Sequence, residues 1–522
     1  MLDRRGFLTA VAATAFTSRA RGLAPSIKLL NKSEENLVPE EPASTPNYWC
    51  TWAAQNYMYG HHLPALDPKI LEGASGGSLA HDAMREDILF GNEGWAVKFF
   101  PQIRKDVYFL LDDGWQTGGT ATFELDTGKF PSFTGTSADR LRKLSDAIQS
   151  AGWRGSALWC RNTPGGDADR HLENLSQSAG IKYLKVDIGD QTFNLVGLRN
   201  EAHIPLILEH VHGELPVNGD WKKEGRFGPQ PWGSRRMNIL QNTDVYRTYD
   251  VTSILSLPTT LDRLAEMLKG SEGHSEIHAL LNVEDEVYVA AAMGCTMGIL
   301  RHPLRGMRPG QDADLFLNGP RQAKRRMDEV VRALRWQRIA PPFSPGFGSV
   351  TVSRDILTDS WTFERGQTWQ TELVRTHVRQ GAPACIARNI NLPEVHANGE
   401  KPFILATRFP NGAVAVAAQE RTTSGHAWYM PICDVTLSVG NAPGPFGIFG
   451  DFRSLTLTFD KAIGNTRVLA QDLAGEISVD VSDALQRQGN NVSISGEIIR
   501  RIGLQNATPG DLSSPGLVLA FR

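Results

Sequence analysis

The chain has 522 residues, too many for one compact core and enough for a large domain followed by a smaller one. Its 54 basic and 57 acidic residues leave a net charge of −3, which gives no electrostatic basis for binding nucleic acid or an anionic membrane. The five cysteines show no CxxC spacing, so neither a disulfide framework nor a zinc site is indicated, and we expect buried, inert thiols.

Residues 1–24 have the pattern of an export signal. Asp3-Arg4-Arg5-Gly6-Phe7-Leu8 is a twin-arginine motif, an apolar run follows it, and Ser18-Arg19-Ala20 offers small residues to a signal peptidase. The apolar run is too short to span a bilayer permanently. We therefore expect a periplasmic or secreted protein. Residues 25–46 are polar and rich in proline and glutamate, which predicts a linker.

Short apolar runs alternate with stretches of helical period between residues 47 and 340. The eight predicted strands are Tyr48–Ala53, Val107–Asp112, Gly155–Trp159, Tyr183–Asp187, Pro205–His210, Val245–Tyr249, Ile277–Asn282 and Thr296–Leu300. The predicted helices are Ser137–Ala151, Asp167–Ala179, Leu257–Lys269, Glu284–Met293 and Arg321–Trp336. This alternation is typical of a (β/α)8 TIM barrel. A doubly wound open sheet is the alternative, but no G-x-G-x-x-G turn follows an early strand.

The helical period disappears after residue 340. Phe403–Phe409 and Ala413–Ala418 flank Asn411-Gly412, which predicts a hairpin whose two turn residues have positive φ. Period-two alternation recurs at 455–459 and 477–481. Residues 345–522 are therefore predicted to form a C-terminal antiparallel β-sandwich domain.

The fourth predicted strand ends on a carboxylate. Strand alternation places Lys185 and Asp187 on one face and apolar residues on the other, as expected for a barrel strand packed against helices. Asp187 at the C-terminal end of this strand is a candidate nucleophile. A buried structural Lys–Asp ion pair is the alternative.

The second predicted strand ends in Asp112-Asp113-Gly114-Trp115. Gly114 allows the chain to turn so that both carboxylates reach the barrel mouth. Paired acids can accept hydrogen bonds from vicinal sugar hydroxyls, and Trp115 could supply an apolar platform. The alternative is an aspartate that caps the following turn.

The sixth predicted strand leads from Arg247 to Asp250, again a carboxylate at a strand end. Two carboxylates from different strands, about 5–5.5 Å apart, suit glycoside cleavage with retention. Arg247 could hold Asp250 or another acid in place, or form a surface ion pair of little energetic value.

The fifth predicted strand ends in Glu209 and His210, which we assign to substrate binding. His210-x-His212 lacks a third ligand at a telling spacing, so no metal site is predicted. No cofactor motif is present either.

Together these motifs resemble glycoside hydrolase clan D, the retaining α-galactosidase-type barrels of families 27 and 36. The matching motifs, in the family's order, are Tyr48-Trp49-Cys50-Thr51-Trp52, Asp112-Asp113-Gly114-Trp115, Lys129-Phe130-Pro131, Lys185-x-Asp187 and Arg247-Thr248-Tyr249-Asp250. The chain departs from the family at Thr248-Tyr249, where Ser-Asp is usual, and in the fifth strand, so the sugar stays open. Without the large N-terminal β domain of family 36, the layout is closer to family 27.

The resemblance implies an exo-acting retaining α-glycosidase with Asp187 as nucleophile and Asp250 as general acid/base. Asp112, Asp113 and Lys185 would bind the sugar, and Trp52 and Trp115 would shape its pocket. The partner would be a carbohydrate. A transglycosylase of the same fold and a non-catalytic glycan-binding protein are the alternatives. The sequence leaves open whether the chain forms a homo-oligomer.

Overall fold

The computed structural model describes residues 32–33, 35–59, 80–117, 123–161, 167–187, 196–197, 199–201, 203–211, 234–248, 255–304, 326–362, 375–422, 429–442 and 444–522. The predicted signal segment, 1–24, lies outside the described residues. Within the predicted linker, strand β1 (Lys32–Ser33) pairs antiparallel with residues 478–479 near the end of the chain.

Eight parallel strands form the first domain. They are β2 (Asn47–Cys50), β3 (Val107–Leu111), β4 (Gly155–Arg161), β5 (Tyr183–Asp187), β6 (Ile207–His210), β7 (Val245–Arg247), β8 (Leu280–Asn282) and β9 (Gly298–Ile299). Consecutive strands from β2 to β8 are neighbours, and β9 pairs with β2. The sheet closes because the backbone N–H of Thr296, just before β9, donates to Leu281 at 2.8 Å. This closure confirms the predicted barrel.

Ten α-helices lie in the part of the chain that the structure describes. They are α1 (Trp52–Tyr59), α2 (Glu86–Phe90), α3 (Trp95–Lys98), α4 (Ser137–Ser150), α5 (Asp167–Ala179), α6 (Ser234–Asn242), α7 (Ser256–Ser271), α8 (Val287–Met293), α9 (Met327–Ile339) and α10 (Gly496–Gly503). No helix among the described residues is long and apolar enough to cross a membrane.

Several strand and helix boundaries differ from the sequence prediction, among them the end of the first strand and the start of the helix after β8. The first predicted strand extends to Ala53, but β2 ends at Cys50. The chain then turns into α1, where the Gln55 N–H donates to the Thr51 carbonyl at 2.9 Å as the first helical hydrogen bond. The fourth predicted helix began at Glu284, whereas α8 begins at Val287. Asp285 has a left-handed φ of 58°, and this conformation prevents the helix from starting directly after β8.

The barrel has an apolar outer layer and a mixed interior. Leu184 and Val186 of β5 belong to the cluster between strands and helices, whereas Tyr183 of the same strand lies in the interior cluster. The predicted alternation of β5 is thus confirmed. All five cysteines are free and buried, as expected.

The second domain is a β-sandwich. Its strands are β10 (Val350–Val352), β11 (Ile356–Thr362), β12 (His377–Pro383), β13 (Cys385–Arg388), β14 (Glu394–Ala397), β15 (Phe403–Arg408), β16 (Val414–Gln419), β17 (Cys433–Gly440), β18 (Phe446–Phe449), β19 (Ser454–Phe459), β20 (Val468–Asp472), β21 (Ser478–Asp480), β22 (Gln486–Gln488), β23 (Asn491–Ser495) and β24 (Gly516–Phe521). They form sheets ordered β1-β21-β20-β24-β18-β16-β15-β13-β10 and β14-β17-β19-β23-β22, beside the hairpin β11-β12. Leu457 and Val416, from opposite sheets, belong to one apolar cluster.

Most strand pairs of the sandwich are antiparallel, but β13–β15, β16–β18 and β17–β19 are parallel. The reason is topological: in each case the intervening strand lies in the other sheet, so the chain returns in the same direction. The predicted hairpin joins β15 and β16. Only Gly412 has a positive φ in its turn, 87°, because Pro410 has its φ fixed near −65° and starts a different turn type.

The two domains share one continuous core. Every residue of α8 is buried, and this helix packs against β15 and β16. The ring of Trp336 on α9 meets Phe449 of β18 edge-on, with centroids 5.9 Å apart. Arg332 of α9 pairs with the buried carboxylate of Asp472 at 2.9 Å.

Candidate active site

The upper part of the barrel interior holds a buried ionic network. Lys185 Nζ lies 2.9 Å from Asp112 Oδ2 and 3.9 Å from Glu284 Oε1. Arg247 approaches the same glutamate, with its Nη1 3.2 Å from Glu284 Oε2. The Cys50 thiol donates to Asp112 Oδ2 at 3.0 Å. We call these five residues the upper layer.

In the upper layer, two carboxylates pair with two cations. All of its members are at least nine-tenths buried, so their charges interact with little screening by water. Burial lowers the pKa of the Lys185 ammonium, but the negative charges of Asp112 and Glu284 outweigh it and raise that pKa well above its usual value. Lys185 is therefore charged at every pH at which the protein would work.

Glu284 is the member of this layer that the sequence prediction missed. It was assigned to the start of a helix, which hid its relation to β8. Because α8 begins three residues later, Glu284 continues the inward face of the strand beyond Asn282. An Asn-x-Glu pattern at a barrel strand end is the signal that could have identified it.

Asp187 lies at the C-terminal end of β5, two residues beyond Lys185. Its carboxylate is only partly buried, and Oδ2 accepts a hydrogen bond from the Trp159 indole Nε1 at 3.1 Å. This bond fixes the orientation of one oxygen of a carboxylate that still reaches the barrel mouth. Asp250, its predicted partner, lies outside the described residues.

A second group of interior residues lies below the upper layer. Glu209 accepts hydrogen bonds from the Tyr183 hydroxyl at 3.0 Å and from Asn282 Nδ2 at 2.6 Å, and the Tyr48 hydroxyl lies 3.4 Å away. We call these four residues the lower layer. Burial raises the pKa of Glu209 above its usual value, although Lys185 and the Asn282 hydrogen bond oppose this effect. The carboxyl group predicted to bind substrate is thus enclosed within the barrel.

His210 is not brought to the same side of the sheet as Glu209. Its ring stacks on Tyr246, a member of the outer cluster, with a centroid separation of 5.6 Å and an interplanar angle of 10°. Adjacent strand residues face opposite sides, so the pair could not both line one pocket. The structure places His210 between the strands and the surrounding helices.

The loop after β3 positions Asp113. Gly114 has a φ of 112°, and a Cβ there would lie 2.9 Å from the His81 Cα, so the turn requires glycine. Lys129 Nζ donates to the carbonyls of His81 and Gly114 at 3.1 and 2.8 Å. Asp113 Oδ2 lies 3.1 Å from His81 Nε2, and its side chain keeps 21% exposure. His81 had not been predicted.

The two predicted tryptophans differ in accessibility. Trp115 is fully buried in the outer cluster, where its Nε1 donates to the Trp159 carbonyl at 3.0 Å, so it presents no platform to a sugar. Trp52 begins α1, is half-buried and packs against the interior cluster. Of the two rings, Trp52 is the one placed to border the barrel mouth.

Metal binding has no candidate among the described residues, because no group of three or more His, Cys, Asp or Glu side chains is arranged to hold an ion. Burial raises the pKa of the Cys50 thiol well above its usual value, so this cysteine is a neutral hydrogen-bond donor to Asp112. What the site offers is a rim carboxylate supported by fixed charges and hydrogen bonds.

No family model matches the chain, and no curated protein is similar to it. Among solved structures, the chain is similar to a noncanonic maltogenic α-amylase, AmyB, from Thermotoga neapolitana. The two are 10% identical, the similarity covers 91% of this chain and 98% of that chain, and the TM-score is 0.33. The resemblance to clan D therefore rests on its motifs.

Proposed function

We propose that this protein is an exo-acting retaining α-glycosidase of the α-galactosidase type. The observation that carries the proposal is the position of Asp187, a partly exposed carboxylate at the C-terminal end of a barrel strand. That end of a TIM barrel is where active sites are built. Trp159 orients the carboxylate, and the Lys185–Asp112 pair lies one inward position behind it.

In the proposed reaction, Asp187 attacks the anomeric carbon and forms a glycosyl–enzyme while Asp250 protonates the departing oxygen. Water deprotonated by Asp250 then attacks the same carbon and releases the sugar with retained configuration. Asp113 accepts a hydroxyl hydrogen bond, since its carboxylate is the more exposed of the two on the β3 loop. Asp112 is more deeply buried and acts indirectly, because its carboxylate holds the Lys185 ammonium in place.

Substitution of the nucleophile gives the most direct test. Asp187→Ala should lower kcat by about 10⁴-fold or more, because the covalent route is lost. A screen of nitrophenyl α- and β-glycosides of galactose, N-acetylgalactosamine, glucose and L-arabinopyranose first identifies the substrate. Azide should partly restore turnover of the Asp187→Ala variant and yield a glycosyl azide. Normal activity in this variant would reject the assignment.

Asp250→Ala separates the acid from the nucleophile. It should slow cleavage of disaccharides far more than cleavage of aryl glycosides whose leaving groups need no protonation. The ratio of kcat/KM for the two substrate types, measured for wild type and variant, provides the test. Equal losses on both would remove Asp250 from the acid role. Sugar binding without turnover across the whole screen would favour a glycan-binding protein instead.

A further inference from the structure

A cavity of about 450 Å³ opens at the end of the barrel opposite the candidate active site. Its lining includes Lys105 and Gly152, which lie just before β3 and β4, at the N-terminal ends of those strands. Asn36 and Val38, from the segment that follows β1, form another side. The cavity is therefore bounded by the barrel and by the chain that leads into it.

Arg335 of α9 is the buried cation of this cavity. Only 7% of the residue is exposed, its Nη2 donates to the Gly475 carbonyl at 2.7 Å, and its Nε has no hydrogen-bond partner among the residues that the structure describes. Glu476, Asp106 and Asp472 attract this guanidinium through space, but among the described residues none of them lies within ion-pair distance of it. A buried guanidinium without a carboxylate in direct contact is costly unless an anion reaches it.

Two further cations of the cavity also lack carboxylate partners in the described parts of the chain. Arg104 donates to the carbonyls of Phe99 at 2.8 Å, Ala151 at 2.9 Å and Val97 at 2.6 Å, which hold its guanidinium without neutralising it. Lys105 is exposed at the rim.

The remaining charges do not cancel these three cations. Arg338 is neutralised by Asp106, whose two oxygens accept at 2.9 and 2.6 Å. Glu40 and Glu476 are exposed acids on the lining. The three unpaired cations therefore outnumber the acids that line the cavity, and its most buried charge is positive.

We propose that this cavity binds a small oxyanion, namely phosphate, sulfate or the carboxylate of an acidic sugar. Arg335 would supply paired N–H donors, the geometry that guanidinium groups use for oxyanions, and Arg104 and Lys105 would add attraction. The site is separate from the proposed hydrolytic function, because it lies at the opposite end of the barrel.

The test is thermal unfolding of the full-length protein with sodium phosphate, sodium sulfate or sodium glucuronate, at ionic strength held constant with NaCl. Each effective anion should raise Tm in proportion to the logarithm of its concentration above Kd, by about 1 to 3 °C at 100 times its Kd, whereas glucose gives no rise. Inorganic anions and glucuronate distinguish the two sources of the oxyanion. Titration calorimetry with the best anion then gives Kd.

Arg335→Met should raise that Kd by at least about 10-fold, because the anion loses its buried guanidinium donor. The protein should stay folded, because the substitution removes a buried charge that no carboxylate contacts. Lys105→Glu, at an exposed position, should weaken binding by about 3-fold or more without affecting folding. Arg467→Met is the matched control, since its exposed guanidinium pairs with Asp480.

Equal Tm shifts in wild type and in Arg335→Met would overturn the proposal, because general exclusion of phosphate and sulfate from protein surfaces would then explain them. Absence of a Tm shift that grows with the logarithm of anion concentration in the wild-type protein would overturn it as well.

Discussion

The two layers of the barrel interior share three strands and differ in chemistry. Three strands contribute to both: Tyr48 and Cys50 from β2, Tyr183 and Lys185 from β5, and the inward positions 282 and 284 around the end of β8. In the lower layer, neutral donors surround one carboxyl group. In the upper layer, two cations pair with two carboxylates. The neutral lower layer and the ionic upper layer are two residues apart along a strand, a distance of about 6.6 Å.

This difference shows how a barrel divides its work. The lower layer is satisfied internally, since each donor around Glu209 meets one of its oxygens. The upper layer is held by charge, and the next inward position on β5 is the partly exposed Asp187. Substitutions in the lower layer should therefore change stability, and those in the upper layer should change both stability and turnover.

Lys185→Met should have the largest effect. It leaves Asp112 and Glu284 buried without their shared cation, which should lower the free energy of unfolding by about 3–5 kcal/mol. It should also lower kcat/KM by about 100-fold or more, because Asp112 then lies behind Asp187 without a cation and Glu284 keeps only Arg247 among the described residues. Urea unfolding and initial rates measure the two effects. Lys401→Met, in an exposed pair with Asp355, is the control.

Glu209→Leu should have a smaller effect that is confined to stability. The substitution leaves the donors of Tyr48, Tyr183 and Asn282 without their acceptor and should cost about 2–3 kcal/mol. Turnover of the folded fraction should stay within about 3-fold of wild type. Glu400→Leu, at an exposed position, serves as the control in the same urea titration. A large loss of kcat with unchanged stability would contradict the division into layers.

The pH dependence of Glu209→Gln should give the smallest effect. Because the pKa of Glu209 is raised by folding, the native protein keeps a proton that the unfolded chain releases. The contribution of this group is therefore most favourable at low pH and is lost as pH rises from the unfolded pKa, about 4.3, to the raised folded value. The variant lacks this titration.

The measurement is Tm or urea stability of wild type and Glu209→Gln from pH 4 to 8. Relative to the variant, wild type should lose up to about 1.4 kcal/mol per pH unit within that window and nothing above it. A difference that stays constant with pH would show that Glu209 is ionised equally in both states.

Strand alternation predicted the faces correctly but carried no information on depth. Lys185 and Asp187 were expected to face inward, and that expectation held because Leu184 and Val186 pack outside. Glu209 also faces inward, yet it is sealed by side chains contributed by three other strands. Depth depends on those distant partners, which no local pattern encodes.

Other differences arise where local pattern and tertiary contact compete. Glu284 was placed in a helix because the apolar residues after it suggest one, but the left-handed Asp285 delays that helix. Trp115 suggested a platform, yet its indole finds a buried carbonyl at 3.0 Å. The parallel pairs of the sandwich follow from strands alternating between two sheets, an order that strand spacing alone does not reveal.

The burial of α8 on every side has a consequence for handling this protein. Its barrel face and its sandwich face are both apolar, so neither domain is complete without the other. A chain cut after residue 340 would leave Val287–Met293 and the Trp336 ring open to water, and such a surface promotes aggregation. Substitutions or deletions in the sandwich should therefore leave β15 and β16, the strands that cover this helix, unchanged.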